Sequence, residues 1–544
     1  MKKQALAAVL CVGLAASLLS GCGNNGTDNN TAQTGENLIP EVTTSDTYPI
    51  STDVELDWWV SLNANVAAYA GSMNDTYMAE YLQEETGIKV NFIHPATGQE
   101  TEKFNLMVAS RDMEDIVETN WFSYTGGPDK AINDKVIYPL NEILEKVSPN
   151  LKKYFEENPQ IAGQVQSEAG QYYIYPFITK DPQLRVFMGF MIRQDLLDKA
   201  GLEMPETIDE WETTLKAFKD MGVKTPITFQ FKNGTMDLLQ NFTGAFGIMS
   251  GWYVEDGKVK FGQYEPAYRD YLTTMARWYQ EGLIDTEFPD EDNKRISAAV
   301  INGDVGVVGG YNGAGFGTWI PALKSTVPGA QLVGAPYVAQ NKGETPFTGQ
   351  MAGEVSGNGA AISTSCKNIE VAARLLDYGY SEAGHMMYNF GREGVSYTME
   401  GDVPTYTDII TDTEKNGGLS VSQAMSKYIR GCYNGPFEQD KNYILQMLPL
   451  DEQKEAISVW AQTDAAQHIM PLVVMTEEEN EEFSNIMKDV DVFREEKLAK
   501  IVSGQESVDT IDSYYETLKS LNIERAIELK QQAYDRYIER QNQQ

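Results

Sequence analysis

Cysteine is scarce in this chain of 544 residues, which contains four. Cys11 and Cys22 lie within the first 22 residues, so Cys366 and Cys432 are left for the remainder. Two cysteines cannot build a disulfide framework or a cysteine-rich zinc site. A single bridge between Cys366 and Cys432 stays open, because the sequence does not fix the distance between their α-carbons.

Histidine is also scarce, and the sequence lacks the common catalytic motifs. Its three histidines are far apart, and none has the His-Glu-x-x-His spacing of a metalloprotease, so we expect them to be structural or surface residues. There is no Gly-x-Ser-x-Gly elbow and no phosphate-binding P-loop. We therefore predict no catalytic residue and no cofactor. The histidines are His94, His385 and His468.

Positive charge is outnumbered by negative charge. The chain has 43 lysines and arginines against 79 aspartates and glutamates, for a formal net charge of -36. Proteins that bind nucleic acid need a basic face, and so do proteins that adhere to anionic lipid. The composition argues against both classes and indicates neutral or cationic partners. We expect the protein to act as a monomer.

Long apolar runs are missing after the first 22 residues. Within them, Lys2 and Lys3 precede an apolar run at 5–19, and the sequence Leu-Ser-Gly-Cys at 19–22 forms a lipobox. The run is shorter than the roughly 20 residues that a membrane-spanning helix needs. We predict a signal peptide at 1–21 and a lipid anchor on Cys22; an ordinary signal peptide is the alternative. Residues 22–50 are polar and predict a flexible tether outside the cytoplasmic membrane.

The pattern after residue 50 predicts a parallel sheet. Apolar residues alternate at 54–60 and 88–92, with a helix at 73–86 between them, and a second helix at 102–110 leads to a strand at 115–117. Ligands of open α/β sheets sit at the carboxyl ends of the strands. The loops after these strands therefore supply the first candidate ligand contacts, Ser61, Asn63, Asn120, Trp121 and Tyr124.

A second α/β block follows from about residue 176. Strands are predicted at 172–177, 188–192 and 304–308, and Thr207 with Glu210 predicts a capping box that starts a helix. The glycine-rich stretch 309–317 follows a strand without dinucleotide-binding spacing, and predicts a flexible loop that faces a ligand. Three tryptophans on apolar stripes are predicted to be core residues: Trp58, Trp211 and Trp278.

Several short motifs in order resemble one family. They are IRQDLLDKAGL at 192–202, PETIDEW at 205–211, WYQEGLID at 278–285, GNGAAIS at 357–363, DYGYS at 377–381 and AYDRY at 533–537. Together they resemble the extracellular solute-binding proteins of carbohydrate ABC transporters, in the large-lipoprotein LplA-like branch. The resemblance implies a type II two-lobed α/β fold of the periplasmic-binding-protein kind, with a ligand cleft at the hinge and extra C-terminal helices.

The resemblance also implies a domain division. We expect lobe 1 to begin at 51–175, lobe 2 to occupy 176–350, and the chain to return to lobe 1 at 351–400. The region 401–544 is expected to be helical and to pack mainly on lobe 2. Many members of the family carry a calcium-binding loop between the helix after the PETIDEW motif and the next strand. Here residues 218–226 run through without it, so we predict no metal site there.

Aromatic content favours a sugar ligand. The chain has 29 tyrosines and 8 tryptophans, and sugars stack their C–H faces on such rings while their hydroxyls bond to polar side chains. We predict an oligosaccharide-binding lipoprotein that delivers its ligand to ABC transporter permease subunits. A secreted glycoside hydrolase and an oligopeptide-binding lipoprotein are the alternatives. Further candidate ligand contacts are Trp252, Tyr253, Tyr311, Asn312, Trp319, Glu354 and Glu393.

Overall fold

The computed structural model describes residues 37–229, 241–288, 293–430 and 435–543. The predicted signal peptide, Cys22 and Cys432 lie outside these ranges. Cys366 is buried as a free thiol. Among the described helices, none combines the length and the apolar character needed to cross a membrane.

The described strands form two larger sheets and two hairpins. In chain order they are β1 (Glu55–Trp59), β2 (Lys89–Ile93), β3 (Ile116–Asn120), β4 (Tyr175–Ile178), β5 (Met188–Arg193), β6 (Thr225–Thr228), β7 (Trp252–Glu255), β8 (Lys258–Phe261), β9 (Val305–Tyr311), β10 (Leu332–Gly334), β11 (Asn358–Ile362), β12 (Tyr397–Glu400), β13 (Val403–Tyr406) and β14 (Phe437–Glu438).

The described α-helices connect and cover these strands. They are α1 (Ala64–Ala67), α2 (Tyr77–Thr86), α3 (Glu100–Ser110), α4 (Gly127–Asn133), α5 (Asn141–Val147), α6 (Pro149–Glu157), α7 (Pro159–Gln164), α8 (Gln194–Ala200), α9 (Ile208–Asp220), α10 (Tyr268–Gln280), α11 (Asn293–Ile301), α12 (Gly317–Thr326), α13 (Ile369–Tyr378), α14 (Glu382–Phe390), α15 (Asp408–Thr411), α16 (Val421–Met425), α17 (Lys441–Met447), α18 (Asp451–Trp460), α19 (Ala465–His468), α20 (Glu477–Val502), α21 (Ile511–Ser520) and α22 (Ile523–Gln543).

The first sheet has six strands in the order β14-β4-β11-β3-β1-β2. Strand β1 is parallel to both neighbours, with Trp58 opposite Phe92 on β2 and opposite Ile116 on β3. The parallel arrangement predicted from the alternating pattern is therefore confirmed. Helix α2 ends as predicted, at Gly87 with φ 75°, a left-handed conformation that glycine adopts at little cost.

The second sheet has four strands in the order β10-β5-β9-β6. Strand β5 is antiparallel to β9 and to β10, whereas β6 is parallel to β9. Helix α9 starts at the predicted capping box of Thr207 and Glu210. It ends at Asp220, and β6 begins at Thr225, so the connection is too short to contain an inserted ion-binding loop.

Each sheet has its own apolar core. Trp58 lies in the core of the first sheet, and Trp211 and Trp278 lie in that of the second, each with no exposed surface. Their predicted structural role is confirmed. The core of the second sheet also takes in side chains of α20, α21 and α22, such as Val490 and Ala526. The long C-terminal helices are thus built onto the second sheet.

The region after residue 401 differs in part from its expected arrangement. The described residues of 397–447 include the β12–β13 hairpin as well as helices. They lie by the first sheet, not the second; for example, the Met78 N–H of α2 donates to the Lys427 carbonyl oxygen (3.1 Å). Phe437 pairs with Phe177 of β4 and so adds an edge strand to the first sheet. Within the region after residue 401, α18 is the first helix that packs on the second sheet. Its Trp460 indole donates to the Phe190 carbonyl oxygen of β5 (3.2 Å).

The described end of the predicted tether is docked rather than free. Ile39 and Ile50 are buried in the core of the first sheet. The Glu142 carboxylate accepts the backbone N–H groups of Leu38 (3.0 Å) and Ile39 (3.2 Å). The polar composition of 22–50 concealed these apolar anchors, so the prediction of a tether reaching to residue 50 was wrong for residues 38–50.

Candidate functional site

Two segments that cross between the sheets run side by side. Residues 179–187 lead from β4 to β5, and residues 335–357 lead back from β10 to β11. The Thr179 N–H donates to the Glu354 carbonyl oxygen (2.9 Å). Arg185 and Ala352 bond twice, through the Ala352 N–H to the Arg185 carbonyl oxygen (2.8 Å) and through Arg185 Nε to the Ala352 carbonyl oxygen (2.6 Å). The two crossings therefore form one paired connection between the sheets.

The carboxyl end of β3 faces this connection with a polar turn. Asn120 Nδ2 donates to the Ser356 carbonyl oxygen (3.0 Å), and Asn120 Oδ1 accepts the Ser123 N–H (3.1 Å). Gly357 has φ 81°, and a Cβ there would lie 2.3 Å from Phe122 Cβ. Asn120 therefore links the carboxyl end of β3 to the second crossing and fixes the conformation of the turn that follows the strand.

The carboxyl end of β1 is fixed by a histidine. His94 Nδ1 bonds to the Val60 carbonyl oxygen (2.8 Å), and His94 Nε2 accepts the Met73 N–H (3.1 Å). This pattern requires the neutral ring, and burial lowers the pKa of His94 accordingly. In the loop that follows β1, Ser61 is exposed and half-buried Asn63 caps α1 by accepting the Asn65 N–H (2.8 Å).

Two exposed aromatic rings lie together at the end of the second sheet where β5 begins and β9 ends. Phe187 precedes β5 and Tyr311 ends β9; 40% and 39% of their surfaces are exposed. Their planes are within 3° of parallel and their centroids are 6.1 Å apart. The Asn312 N–H donates to the Phe187 carbonyl oxygen (2.9 Å), which joins the two strand ends. We call this pair the Phe187–Tyr311 platform.

Other predicted contacts at strand ends are core residues. Trp121 has no exposed surface; its indole donates to the Val117 carbonyl oxygen (3.0 Å), and its ring packs on Phe104 of α3. Trp319 is buried, and its indole donates to Ser297 Oγ (3.0 Å). Their assignment as ligand contacts was wrong, because neighbouring helices cover both rings.

Tyr253 and Asn312 are buried as well. Tyr253 lies on the β7–β8 hairpin with no exposed surface, beside Phe347. Asn312 follows Tyr311, but its Nδ2 donates to the Gln453 carbonyl oxygen (2.9 Å) and its side chain points inward. The structure therefore gives both residues packing roles in place of the predicted ligand contacts.

Trp252 and Tyr124 are partly covered by aromatic neighbours. Trp252 packs on Phe483 of α20, with centroids 5.5 Å apart, and Lys530 Nζ lies 5.9 Å from its ring. Tyr124 packs on Phe104 with centroids 6.4 Å apart, and burial raises its pKa. Neither ring joins the platform.

The two predicted acidic contacts lie in different places. Half-buried Glu354 is in the second crossing; burial lowers the pKa of Arg185, and the negative charge of Glu354 partly offsets this. Glu393 is exposed next to Arg392, which pairs with Glu84 at the C-terminal end of α2 (2.6 Å). That end of α2 lies where β2 begins, so the structure does not bring Glu393 to the carboxyl edge.

Sequence reasoning missed Phe187. The candidate contacts came from loops that follow strands, which is the correct place for parallel strands. Because β5 is antiparallel to β9, its amino end lies beside the carboxyl end of β9, and a residue before β5 reaches the same edge. An aromatic residue directly before the predicted strand at 188–192 was the signal available in the sequence.

The part of the chain that the structure describes shows no cluster of metal ligands, and its large cavity lies away from the platform. No group of three or more acidic, histidine or cysteine side chains there has a metal-binding arrangement. His385 bonds to Asp440 (3.1 Å) and His468 stacks on Phe347 (4.0 Å). A cavity of about 770 Å³ beside β10 is lined by residues such as Tyr337 and Thr463, and none of its lining residues belongs to the platform.

Comparisons with known proteins agree with this architecture. The family model "Bacterial extracellular solute-binding protein" matches residues 64–386. The fructooligosaccharide ABC transporter substrate-binding protein FusA of Streptococcus pneumoniae serotype 4 (strain ATCC BAA-334 / TIGR4) is 24% identical over 564 residues, covering 97% of each chain. Lipoprotein LipO of Bacillus subtilis (strain 168) is 26% identical over 361 residues, covering 62% of this chain and 65% of LipO.

Solved structures show the same fold. Alginate-binding protein AlgQ2 without calcium ion has a TM-score of 0.69 at 25% identity, covering 89% of this chain and 99% of AlgQ2. FusA in complex with kestose also has a TM-score of 0.69, at 21% identity and with the same coverage. The predicted α/β fold and the resemblance read from the motifs are confirmed. The family model covers more than half of the sequence, and the chain belongs to the bacterial extracellular solute-binding proteins.

Proposed function

We propose that this protein captures an oligosaccharide outside the cytoplasmic membrane and delivers it to the permease of an ABC transporter. The Phe187–Tyr311 platform carries the proposal, because two parallel exposed rings suit the C–H faces of sugars. The likeness to FusA, described as a fructooligosaccharide-binding protein, and to alginate-binding AlgQ2 supports a carbohydrate as the ligand class.

The carboxyl ends of β1 and β3 in the first sheet supply polar groups. Ser61 is exposed, Asn63 and Asn120 are half-buried, and Asn358 follows the second crossing with its Nδ2 bonded to Ser356 Oγ (2.7 Å). Hydroxyl and amide groups of this kind bond to sugar hydroxyls, while the platform stacks on the ring faces. A saccharide held between the edges would meet both kinds of group at once.

We further propose that the sheets belong to two lobes that close on the ligand. Lobe 1 carries the first sheet and lobe 2 carries the second, so their boundaries fall at the crossings 179–187 and 335–357, close to the predicted boundaries at residues 175 and 350. The paired crossings act as the hinge. A ligand shifts such an equilibrium only by its differential affinity for the closed state. Contacts to both edges exist together only when the lobes approach, so the saccharide drives closure.

Anchoring and delivery complete the proposal. The lipobox supports a diacylglycerol anchor on Cys22, and the relative LipO is described as a lipoprotein. The protein then acts as a monomer on the outer side of the membrane, with the lipid as its membrane contact. It binds without turning over its ligand; a glycoside hydrolase and an oligopeptide-binding lipoprotein are the functions to be tested against it.

The test is ligand binding by the protein without its first 36 residues. Thermal shift is measured with kestose, a panel of other neutral oligosaccharides, alginate oligosaccharides and mixed peptides. A ligand at 100 times its Kd adds about 2.7 kcal/mol of stability. We expect saccharides and not peptides to raise Tm, with each saccharide recovered intact. Stabilisation by peptides alone, or cleavage of a glycan by the pure protein, would refute the proposal.

A further inference from the structure

Phe187 is held by a glutamine from the opposite crossing. Gln350 Oε1 accepts the N–H groups of both Phe187 (2.8 Å) and Met188 (3.2 Å). Gln350 Nε2 donates to the Arg185 carbonyl oxygen (3.2 Å). One half-buried amide therefore fixes three successive peptide units where β5 begins, from a position 163 residues further along the chain.

A second glutamine holds the other side of the platform. Gln453 of α18 is 1% exposed, and its Nε2 donates to the Asn312 carbonyl oxygen (2.6 Å). In return, the Asn312 Nδ2 group donates to the Gln453 carbonyl oxygen (2.9 Å). This reciprocal pair fixes Asn312, the residue directly after Tyr311. Each ring of the platform is therefore next to backbone that a glutamine from a distant part of the chain holds in place.

We propose that Gln350 and Gln453 are positioning residues that hold Phe187 and Tyr311 parallel before a ligand arrives. The inference rests on the proposed carbohydrate-binding function and deepens it. Neither amide needs to contact the ligand, because its bonds go to the backbone of the platform. Rings that are already oriented lose little conformational entropy when the ligand binds, so the affinity is higher than it would be with mobile rings.

A fluorine NMR experiment without ligand tests the orientation directly. The full mature chain carries para-fluorophenylalanine at position 187, alone or with Gln350→Met, which keeps the shape but removes the acceptor. We expect one narrow resonance in the parent and a broadened or split resonance with Gln350→Met. Gln350→Glu keeps an acceptor oxygen and should restore the narrow line.

The matched control is Gln462→Met. Gln462 is exposed, and its Nε2 donates to the Ser458 carbonyl oxygen of its own helix (3.1 Å), so this change should leave the resonance unaltered. Gln453→Met should have the corresponding effect on meta-fluorotyrosine at position 311. Unchanged spectra in both glutamine variants would overturn the proposal.

A double-mutant cycle with kestose separates positioning from a general loss of structure. Gln350→Met should weaken binding about tenfold, because it leaves two backbone donors without their acceptor. In the Phe187→Ala background it should change affinity by no more than about twofold. Equal losses in both backgrounds would show that Gln350 does not act through Phe187. If the parent binds no saccharide, the proposed function fails, while the NMR spectra still decide the role of Gln350.

Discussion

Arg430 and Glu118 form an ion pair inside the first sheet, with 0% and 1% of their side-chain surfaces exposed. Glu118 Oε2 also accepts the Trp58 indole N–H (3.1 Å), and the Arg430 guanidinium lies 4.7 Å from the Trp58 ring centroid. The pair ties the segment before residue 431 to the central strand β3. Removing one partner takes the charge of this pair away from the other, which stays buried.

Arg430→Met is therefore expected to destabilise the protein by about 3–5 kcal/mol. Glu118→Gln combined with Arg430→Met should recover a large part of this loss, because neither position of the pair then carries a charge. Urea unfolding of the single and double variants measures both values. A loss below about 1 kcal/mol for Arg430→Met would contradict a stabilising role for the pair.

Phe187→Ala and Tyr311→Ala should each weaken saccharide binding by about 1–3 kcal/mol, the value of burying a large apolar side chain. Stability without ligand should change little, since both rings are well exposed. Calorimetric titration with kestose measures the affinities. Tyr77→Ala is the control, because Tyr77 is 50% exposed but lies outside the platform, and it should bind as the parent does.

Trp121→Ala should behave in the opposite way. The ring fills the core of the first sheet, so its loss should destabilise the protein by about 3–5 kcal/mol. Urea unfolding of the variant and of the parent measures the difference in their free energies of unfolding. A variant of unchanged stability that no longer binds saccharide would return Trp121 to the list of ligand contacts.

Asp377 should make stability depend on pH. Burial raises its pKa from 3.8 to about 6, although the backbone N–H of Leu151 (2.8 Å) and the Asn150 amide (2.7 Å) bond to it. Between these two values the folded state binds the proton and the unfolded state does not. This contribution therefore lowers stability as pH rises from about 4 to 6, by about 3 kcal/mol.

The variant Asp377→Asn keeps an acceptor oxygen but cannot ionise. Compared with the parent, its stability should fall less between pH 4 and 6. Unfolding curves collected at half-unit intervals show the difference between the two profiles. Parallel profiles would mean that Asp377 is charged throughout this range.

Cys22→Ser should abolish lipidation and release the protein from the membrane fraction. The predicted lipobox places the anchor on this residue alone, and two acyl chains are needed for stable attachment. Fractionation with labelled palmitate measures both properties. A serine variant that still sediments with membranes would show that something other than the lipid holds the protein there.

The sequence was sufficient where local pattern and tertiary packing agree. Alternation predicted β1 and β2, and the capping box predicted the start of α9 to the residue. Trp58, Trp211 and Trp278 stood on apolar stripes and are buried. In these elements each local signal comes from residues close in sequence, so the pattern contains most of the information.

Prediction failed where a distant element decides the outcome. Trp121 directly follows β3 and Tyr311 is the last residue of β9, yet α3 covers Trp121 through Phe104, while Tyr311 is left exposed. The glycine-rich stretch predicted as a flexible loop is a π-helical turn at Asn312–Phe316 that leads into α12. β14 has two residues and no periodicity, so pairing with β4 alone defines it.

The crossings also fix which sheet each end of the described chain belongs to. The chain passes from the first sheet to the second at 179–187, returns at 335–357, and passes over again at 448–450 between α17 and α18. Leu38 packs on the core of the first sheet, whereas the long C-terminal helices contribute side chains to the core of the second. A single proteolytic cut in any passage would leave two covalent links between the sheets.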